Sequence, residues 1–290
     1  MIVVTGATGQ LGRLVVKALL EKTSPSTVIA AVRNPDKAQE LAQSGVQVRT
    51  ADYDRPETLV SALKGAEKVL LISGNTLGQR VAQHRAVIDA ARRSGVQLIA
   101  YTSVLHAPTT ALFVGPDHRE TEAALKASGV PTVILRNGWY SENYLFRAAG
   151  AVKSGALLGC AGDGRISAAP RADYAQAAAT ALTKPEQAGR VYELAGDQAF
   201  TLPELASELS RQTGRPIRYQ NVSESEFAVA LEKNGIPSAY APMMARSDAL
   251  AAEGALFETG RQLSGLIGRP STPLATVIEQ AIRAGQIPKA

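Results

Sequence analysis

The first twelve residues constrain the fold more than any other stretch. An apolar run, Met1-Ile2-Val3-Val4, ends at Thr5-Gly6-Ala7-Thr8-Gly9-Gln10-Leu11-Gly12, which is the pattern of a strand leading through a glycine turn into a helix. Gly6 permits the tight turn, Gly9 lets the backbone approach a pyrophosphate, and Gly12 lets the helix lie close to the strand. The helix N-terminus then faces the anion. The spacing is Gly-x-x-Gly-x-x-Gly, one residue wider than the common fingerprint. A dinucleotide with its phosphates on Gly6, Ala7, Thr8, Gly9, Gln10 and Leu11 is the expectation.

Through residue 140, short β-branched runs alternate with helical patterns, the signature of a parallel sheet covered on both faces. The predicted strands are Ile2–Thr5, Val28–Val32, Gln47–Thr50, Lys68–Ile72, Gln97–Thr102 and Thr132–Arg136. Asn34-Pro35, and Asp54 with Pro56, place a cap before a proline at a helix start. Gly45, Gly65, Gly95 and Gly129 each close a helix before a strand. After about residue 145 the pattern loosens into Gly/Ala-rich segments. Helices are expected there over Arg171–Thr183, Leu202–Thr213, Glu224–Asn234, Pro242–Glu253 and Leu274–Ala284, with strands at Arg190–Leu194 and Pro216–Gln220. The expected fold class is α/β: a Rossmann-type doubly wound parallel sheet over residues 1–145, and a smaller C-terminal α/β region over 146–290. That second region would face the substrate at the sheet edge and share some strands with the main sheet.

The composition, 45% hydrophobic and 20% charged in 290 residues, is that of a soluble globular chain. No apolar run approaches the length of a membrane span, and the apolar start is too short for a secretory signal. One cysteine, Cys160, fits a reducing compartment, so the cytoplasm is the expected location. The net charge of +5 comes from scattered basic residues, with Arg92-Arg93 the one adjacent pair. That distribution argues against nucleic acid and suits an anionic cofactor.

Cofactor type is decided at the end of the second strand, where an acid would meet a ribose hydroxyl and an arginine a 2′-phosphate. Arg33 stands there, with Lys37 about one helical turn on, so the expectation is NADP. Asp52 is open to two roles, against an adenine or capping a turn. Ile72-Ser73-Gly74 offers a small-residue edge for a ribose and pyrophosphate. The segment Arg136-Asn137-Gly138-Trp139-Tyr140-Ser141-Glu142, followed by Asn143, brings aromatic and amide groups to the same edge, the make-up of a small-molecule pocket or of core beneath the second region.

Reductases of this fold that move a proton with the hydride carry a Tyr-x-x-x-Lys helix and a serine on the preceding strand. Ser103 supplies the serine, but the helix offers His118-Arg119-Glu120-Thr121-Glu122 instead. His118 and Glu122 share a face, a pairing that is commonly a surface ion pair. His106, in the loop after the fifth strand, is a pocket candidate, and His84 has the setting of a structural residue. No cluster has metal spacing and no nucleophile elbow is present.

These residues together resemble the atypical short-chain, NmrA-like proteins. The likeness runs through the glycine turn, Val32-Arg33-Asn34-Pro35, Ala51-Asp52-Tyr53, Leu71-Ile72-Ser73, Gly78-Gln79-Arg80, Tyr101-Thr102-Ser103 and the 135–143 segment. It continues through Ala161-Gly162-Asp163-Gly164, Arg171-Ala172-Asp173-Tyr174, the 192–197 stretch and Leu266-Ile267-Gly268. The resemblance implies NADPH held by the turn, Arg33, the Ser73-Gly74-Asn75 edge, Asn137, Gly138, Trp139, Tyr140, Ser141, Glu142 and Arg171, the last of these equally suited to a fold-stabilising ion pair with Asp173 or another acid. It also implies hydride transfer to a small-molecule quinone in a pocket lined by Tyr140, Asn137 and His106, with no nucleic acid or membrane partner and a homodimer left open. A quinone accepts hydride at a conjugated position and takes its proton from water, so the missing tyrosine–lysine pair fits. It fits equally a regulator that binds NADP without turning it over, or a reductase of triphenylmethane dyes.

Overall fold

The computed structural model describes residues 1–289. In chain order the elements are β1 (Ile2–Thr5), α1 (Gln10–Leu20), β2 (Val28–Val32), α2 (Gln39–Gln43), β3 (Gln47–Thr50), α3 (Pro56–Ala62), β4 (Lys68–Leu71), α4 (Arg80–Arg93), β5 (Leu98–Val104), α5 (Gly115–Ser128), β6 (Thr132–Asn137), α6 (Glu142–Ser154) and β7 (Ala156–Gly159). They continue as α7 (Arg171–Thr183), β8 (Val191–Leu194), α8 (Leu202–Thr213), β9 (Arg218–Asn221), α9 (Glu224–Lys233), α10 (Ala241–Ala252), α11 (Gln262–Ile267) and α12 (Leu274–Arg283).

Seven strands form one parallel sheet in the order β3-β2-β1-β4-β5-β6-β8. Residues alternate between its two faces. Val4, Ala30, Leu70 and Val133 pack under α1 and α7, while Val3, Ile29, Val69 and Ile99 pack against α3, α4 and α5. With both faces covered, the strands read as continuous apolar runs. On α1, Leu11, Val15 and Leu19 recur every four residues and are buried. The alanines of α7 let it lie close to α1. Strand order reverses between β1 and β4, and a doubly wound sheet opens a ligand crevice at such a point.

The first four expected strands match in place, with β4 one residue shorter. β5 and β6 run further than expected, because Val104 and Asn137 still pair with each other. Asn34 caps its turn through Oδ1, which accepts from the Asp36 N–H at 2.9 Å. The same role fails for Asp54: its carboxylate accepts from Gln83 instead, and Arg55 precedes α3 without a side-chain cap.

The second half departs more. Helix α6 and strand β7 fill what reads as loose Gly/Ala-rich sequence, and α11 was not expected. Position 145 lies inside α6, so the expected boundary does not coincide with an element end. α7 and β8 return to the main sheet. β7 pairs in parallel with β9 in a separate two-stranded sheet, packed with α6, α8 and α12 around a second core that includes Tyr144, Phe200, Leu205 and Ile278.

Candidate functional site

A cleft of about 870 Å³ runs along the C-terminal ends of β1, β2, β4, β5 and β6. Its first wall is the glycine turn. Gly6 has φ +59°, a conformation that disfavours any side chain. A Cβ on Gly12 would sit 2.3 Å from the Gly6 carbonyl oxygen, so the helix can approach only as glycine. The Gly9 N–H donates to Gly6 O at 2.9 Å, and no side chain caps α1. Its first-turn amides are therefore left for an anion. Ala7 departs from expectation: it is fully buried, donates its N–H to Ala31 O and contributes no wall.

Arg33 leaves β2 exposed on the cleft rim and has no ion pair among the described residues. Its neighbourhood is braced by Arg13, which reaches Glu40 at 3.1 Å and donates to Lys37 O at 2.7 Å and Thr8 O at 3.2 Å. Lys37 also reaches the rim. Asp52 caps a turn and also borders the cleft. It lines the cleft, and its Oδ1 accepts from the Asp54 N–H at 3.1 Å.

The β4 exit is held by side chains whose contacts the sequence does not reveal. Thr5 Oγ1 accepts from the Ile72 N–H at 3.1 Å and the Tyr53 hydroxyl donates to Ile72 O at 2.9 Å. The Ser73 N–H donates to Thr102 Oγ1 at 2.9 Å. Gly74 is clamped at both its polar groups: its N–H donates to His84 Nε2 at 2.9 Å, and its carbonyl accepts from Arg80 Nε at 2.6 Å. With Nε2 an acceptor, His84 carries its proton on Nδ1 and donates it to Thr121 Oγ1 at 2.9 Å. Burial, helped by the Arg80 cation, pulls the His84 pKa down to about 3. Arg80 is itself anchored on Asp117 at 2.8 Å. Thus His84 is structural, and what it builds is the wall at Ser73, Gly74 and Asn75, all three of which line the cleft.

At the β5–β6 end the expected ion pair between His118 and Glu122 does not form. Glu122 takes a bidentate grip from Arg136, at 3.0 and 2.7 Å, and accepts from the Ser103 hydroxyl at 2.6 Å. Arg136 also reaches Glu193 at 2.8 Å. His118 is buried and bonds to Tyr101. Ser103 thus lines the cleft with its hydroxyl committed elsewhere.

Asn137, Gly138, Trp139 and Tyr140 line the cleft as expected. Trp139 packs against the second core and Tyr140 against the main one, so both also support the fold. Burial raises the Tyr140 pKa and keeps its phenol neutral. The Arg171 guanidinium lies 4.4 Å from the Tyr140 ring centroid. Asn137 Oδ1 is buried with no partner among the described residues, an acceptor left for a ligand donor.

Ser141 and Glu142 lie behind the wall. Ser141 donates its N–H to Ala169 O at 2.9 Å, and the Glu142 carboxylate accepts the Arg171 N–H at 3.0 Å, satisfying the start of α7. Arg171 reaches the cleft and pairs with Glu142 at 3.4 Å; Asp173 pairs with Arg269 instead. His106 is the clearest departure. Its Nε2 is 2.9 Å from Glu258 Oε2, its N–H donates to Glu193, and it does not line the cleft. Phe113 and Val114, further along the same loop, do line it.

Among known proteins, quinone oxidoreductase 2 of Escherichia coli (strain K12) is 52% identical over 275 residues, 95% of this chain and 96% of that protein. The NAD(P)H azoreductase of Xenophilus azovorans is 32% identical over 276 residues, 95% and 96% of the two chains. The structure superposes on the NADPH-dependent quinone oxidoreductase from E. coli complexed with NADPH with a TM-score of 0.95, at 51% identity, covering 97% of this chain and all of that one (100%). It superposes on the Citrobacter sp. triphenylmethane reductase complexed with NADP(H) with a TM-score of 0.94, at 38% identity and coverage of 97% and 100%. The NmrA-like family model matches residues 1–284, and the chain belongs to that family.

Proposed function

We propose that the chain is an NADPH-dependent reductase of quinones. The observation that carries the cofactor choice is Arg33, an unpaired guanidinium on the rim of a cleft that begins at the glycine turn. A planar cation there matches a 2′-phosphate and has no counterpart on a plain ribose. The donor set fits the rest of the dinucleotide: first-turn amides of α1 for the pyrophosphate, the Ser73, Gly74 and Asn75 edge for the sugar beyond it, and the orphaned Asn137 Oδ1 for an amide donor. When bound, the reduced nicotinamide supplies the hydride.

The chain's own residues position and shield. Trp139, Tyr140 and Phe113 give the acceptor flat apolar walls. Ser103 and Glu122 are tied to Arg136 and Tyr140 stays neutral, so no side chain at the β5 end is arranged as a Tyr/Lys acid pair. An electron-poor quinone suits that site, since it accepts hydride directly and takes its proton from solvent. The second core, reached through Trp139, forms the acceptor side, and we place the protein in the cytoplasm on its single free thiol, Cys160. No helix among the described residues is long and apolar enough to cross a membrane.

The test is to mix the protein with NADPH and, separately, a simple benzoquinone or a triphenylmethane dye, and to follow the absorbance of reduced nicotinamide. Faster oxidation with the quinone is expected. Oxidation with the dye alone would move the acceptor class, and binding without oxidation by either would make the protein a sensor.

A further inference from the structure

His118 and Glu122 stand one helical turn apart where a reductase of this fold would carry its tyrosine and lysine, and the structure separates them. Glu122 is bound to Ser103 and Arg136, whereas His118, only 5% exposed, reaches the cleft wall. Its Nδ1 lies 2.6 Å from the hydroxyl of Tyr101, which is fully buried and makes this one hydrogen bond. Were Nδ1 the donor, the phenolic proton would be buried without an acceptor, so the phenol donates and Nδ1 accepts. The Thr121 hydroxyl, engaged by His84 and Asp117 O, makes no hydrogen bond with Tyr101.

The imidazole is neutral. Tyr101 faces it from β5, Arg80 and His84 from α4, and Asp117 and Glu122 belong to its own helix. Burial first, and then the Arg80 cation, pull its pKa down to about 3. The remaining proton sits on Nε2, since the one side-chain hydrogen bond of His118 among the described residues is made by Nδ1, and His118 lines the cleft. A fixed neutral donor therefore points at the ligand from the β4–β5 end. A lysine at this place would set a second cation beside Arg80.

Its position names the acceptor. The turn after β1 takes the pyrophosphate and the end of β2 the 2′-phosphate side, so the next strand in the sheet, β4, lies under the second sugar. Arg80 and His84, which clamp Gly74 at that strand's exit, also face His118, and His118 and Gly74 line the same cleft. Resting on the NADPH reading, we propose that His118 Nε2–H donates a hydrogen bond to a hydroxyl of the nicotinamide-side ribose, with Tyr101 setting the tautomer that makes this possible.

The experiment measures dissociation constants for NADPH and for an analogue whose nicotinamide-side ribose lacks both hydroxyls, using the wild type, His118→Phe, His118→Gln and Tyr101→Phe. The wild type should bind the analogue about five- to tenfold more weakly than NADPH. His118→Phe should lose a similar factor on NADPH and nothing further on the analogue, His118→Gln should recover part of the loss, and Tyr101→Phe should fall between. Equal binding of both cofactors by the wild type overturns the assignment, even if the phenylalanine variant fails to fold. So does an equal loss on both cofactors in His118→Phe, which would mark a packing role, or an unchanged NADPH constant with a lower kcat, which would turn His118 toward the acceptor. A wild type that binds neither cofactor overturns the NADPH reading itself, which separates the two failures.

Discussion

At the β1–β2 end of the cleft Arg33 and Lys37 are exposed and make no ion pair among the described residues, whereas at the β4–β6 end the wall guanidiniums are paired, Arg80 with Asp117 and Arg171 with Glu142. Behind that second wall, Arg136 is held between Glu122 and Glu193, and the two buried histidines are neutral. One end offers free positive charge and backbone amides to a phosphate. The other offers fixed neutral donors, aromatic faces and charges already cancelled. The difference separates affinity and cofactor choice from orientation: unpaired charge attracts an anion, while a cancelled network holds geometry without drawing in water or counter-ions.

The comparison can be broken hardest at the turn. Gly12→Val puts a side chain where even a Cβ would lie 2.3 Å from Gly6 O. The expected outcome is loss of NADPH binding by titration together with a fall in stability of several kcal/mol, in the range of severe backbone clashes. At the opposite end, Arg136→Met leaves Glu122 and Glu193 without their shared cation. Removing one partner from a largely buried pair costs about 3 kcal/mol, so denaturant unfolding should show a clear drop in midpoint, with Glu122→Gln recovering part of it in the double variant.

Arg33→Asp acts on affinity alone. A charge-assisted contact is worth about 1.5–3 kcal/mol, so NADPH should bind roughly 10- to 100-fold more weakly while NADH changes little. Equal losses on both cofactors would remove the 2′-phosphate role.

The smallest effect sharpens the neutral end. His84 and His118 have folded pKa values near 3 against an ordinary 6.5. Below pH 6.5 the unfolded chain therefore binds protons that the folded chain refuses, and stability present above 6.5 is lost as pH falls toward 3. Each histidine should contribute a loss of order 2 kcal/mol by pH 5. Thermal melting at pH 7 and pH 5 checks this: the acid-induced drop in Tm should shrink in His84→Gln. An unchanged drop would mean that the histidine is charged in the folded state.

Legibility follows the same division. Gly6, Gly9, Gly12 and Arg33 are readable because their roles are local, a turn and a strand end that sequence neighbours define. The β4 clamp was not, since His84, Arg80 and Thr102 meet Ser73 and Gly74 only after three strands and a helix are assembled. The Gly78-Gln79-Arg80 resemblance pointed at the right place without giving the contact. His106 misled because a histidine in a loop above a sheet looks available until the distant Glu258 takes its ring. The second half hid α6 and β7 because Ala- and Gly-rich stretches carry little apolar periodicity, and β7 finds its partner β9 some sixty residues on.

The division of labour is tested most directly by the single-turnover rate of NADPH oxidation by a benzoquinone, measured at saturating cofactor for the wild type and Arg33→Asp. Rapid oxidation in the wild type is predicted, with the same saturated rate in the variant despite its weaker binding. A saturated rate that falls in proportion to affinity would contradict the separation of the two ends, and no oxidation in the wild type would contradict the reductase itself.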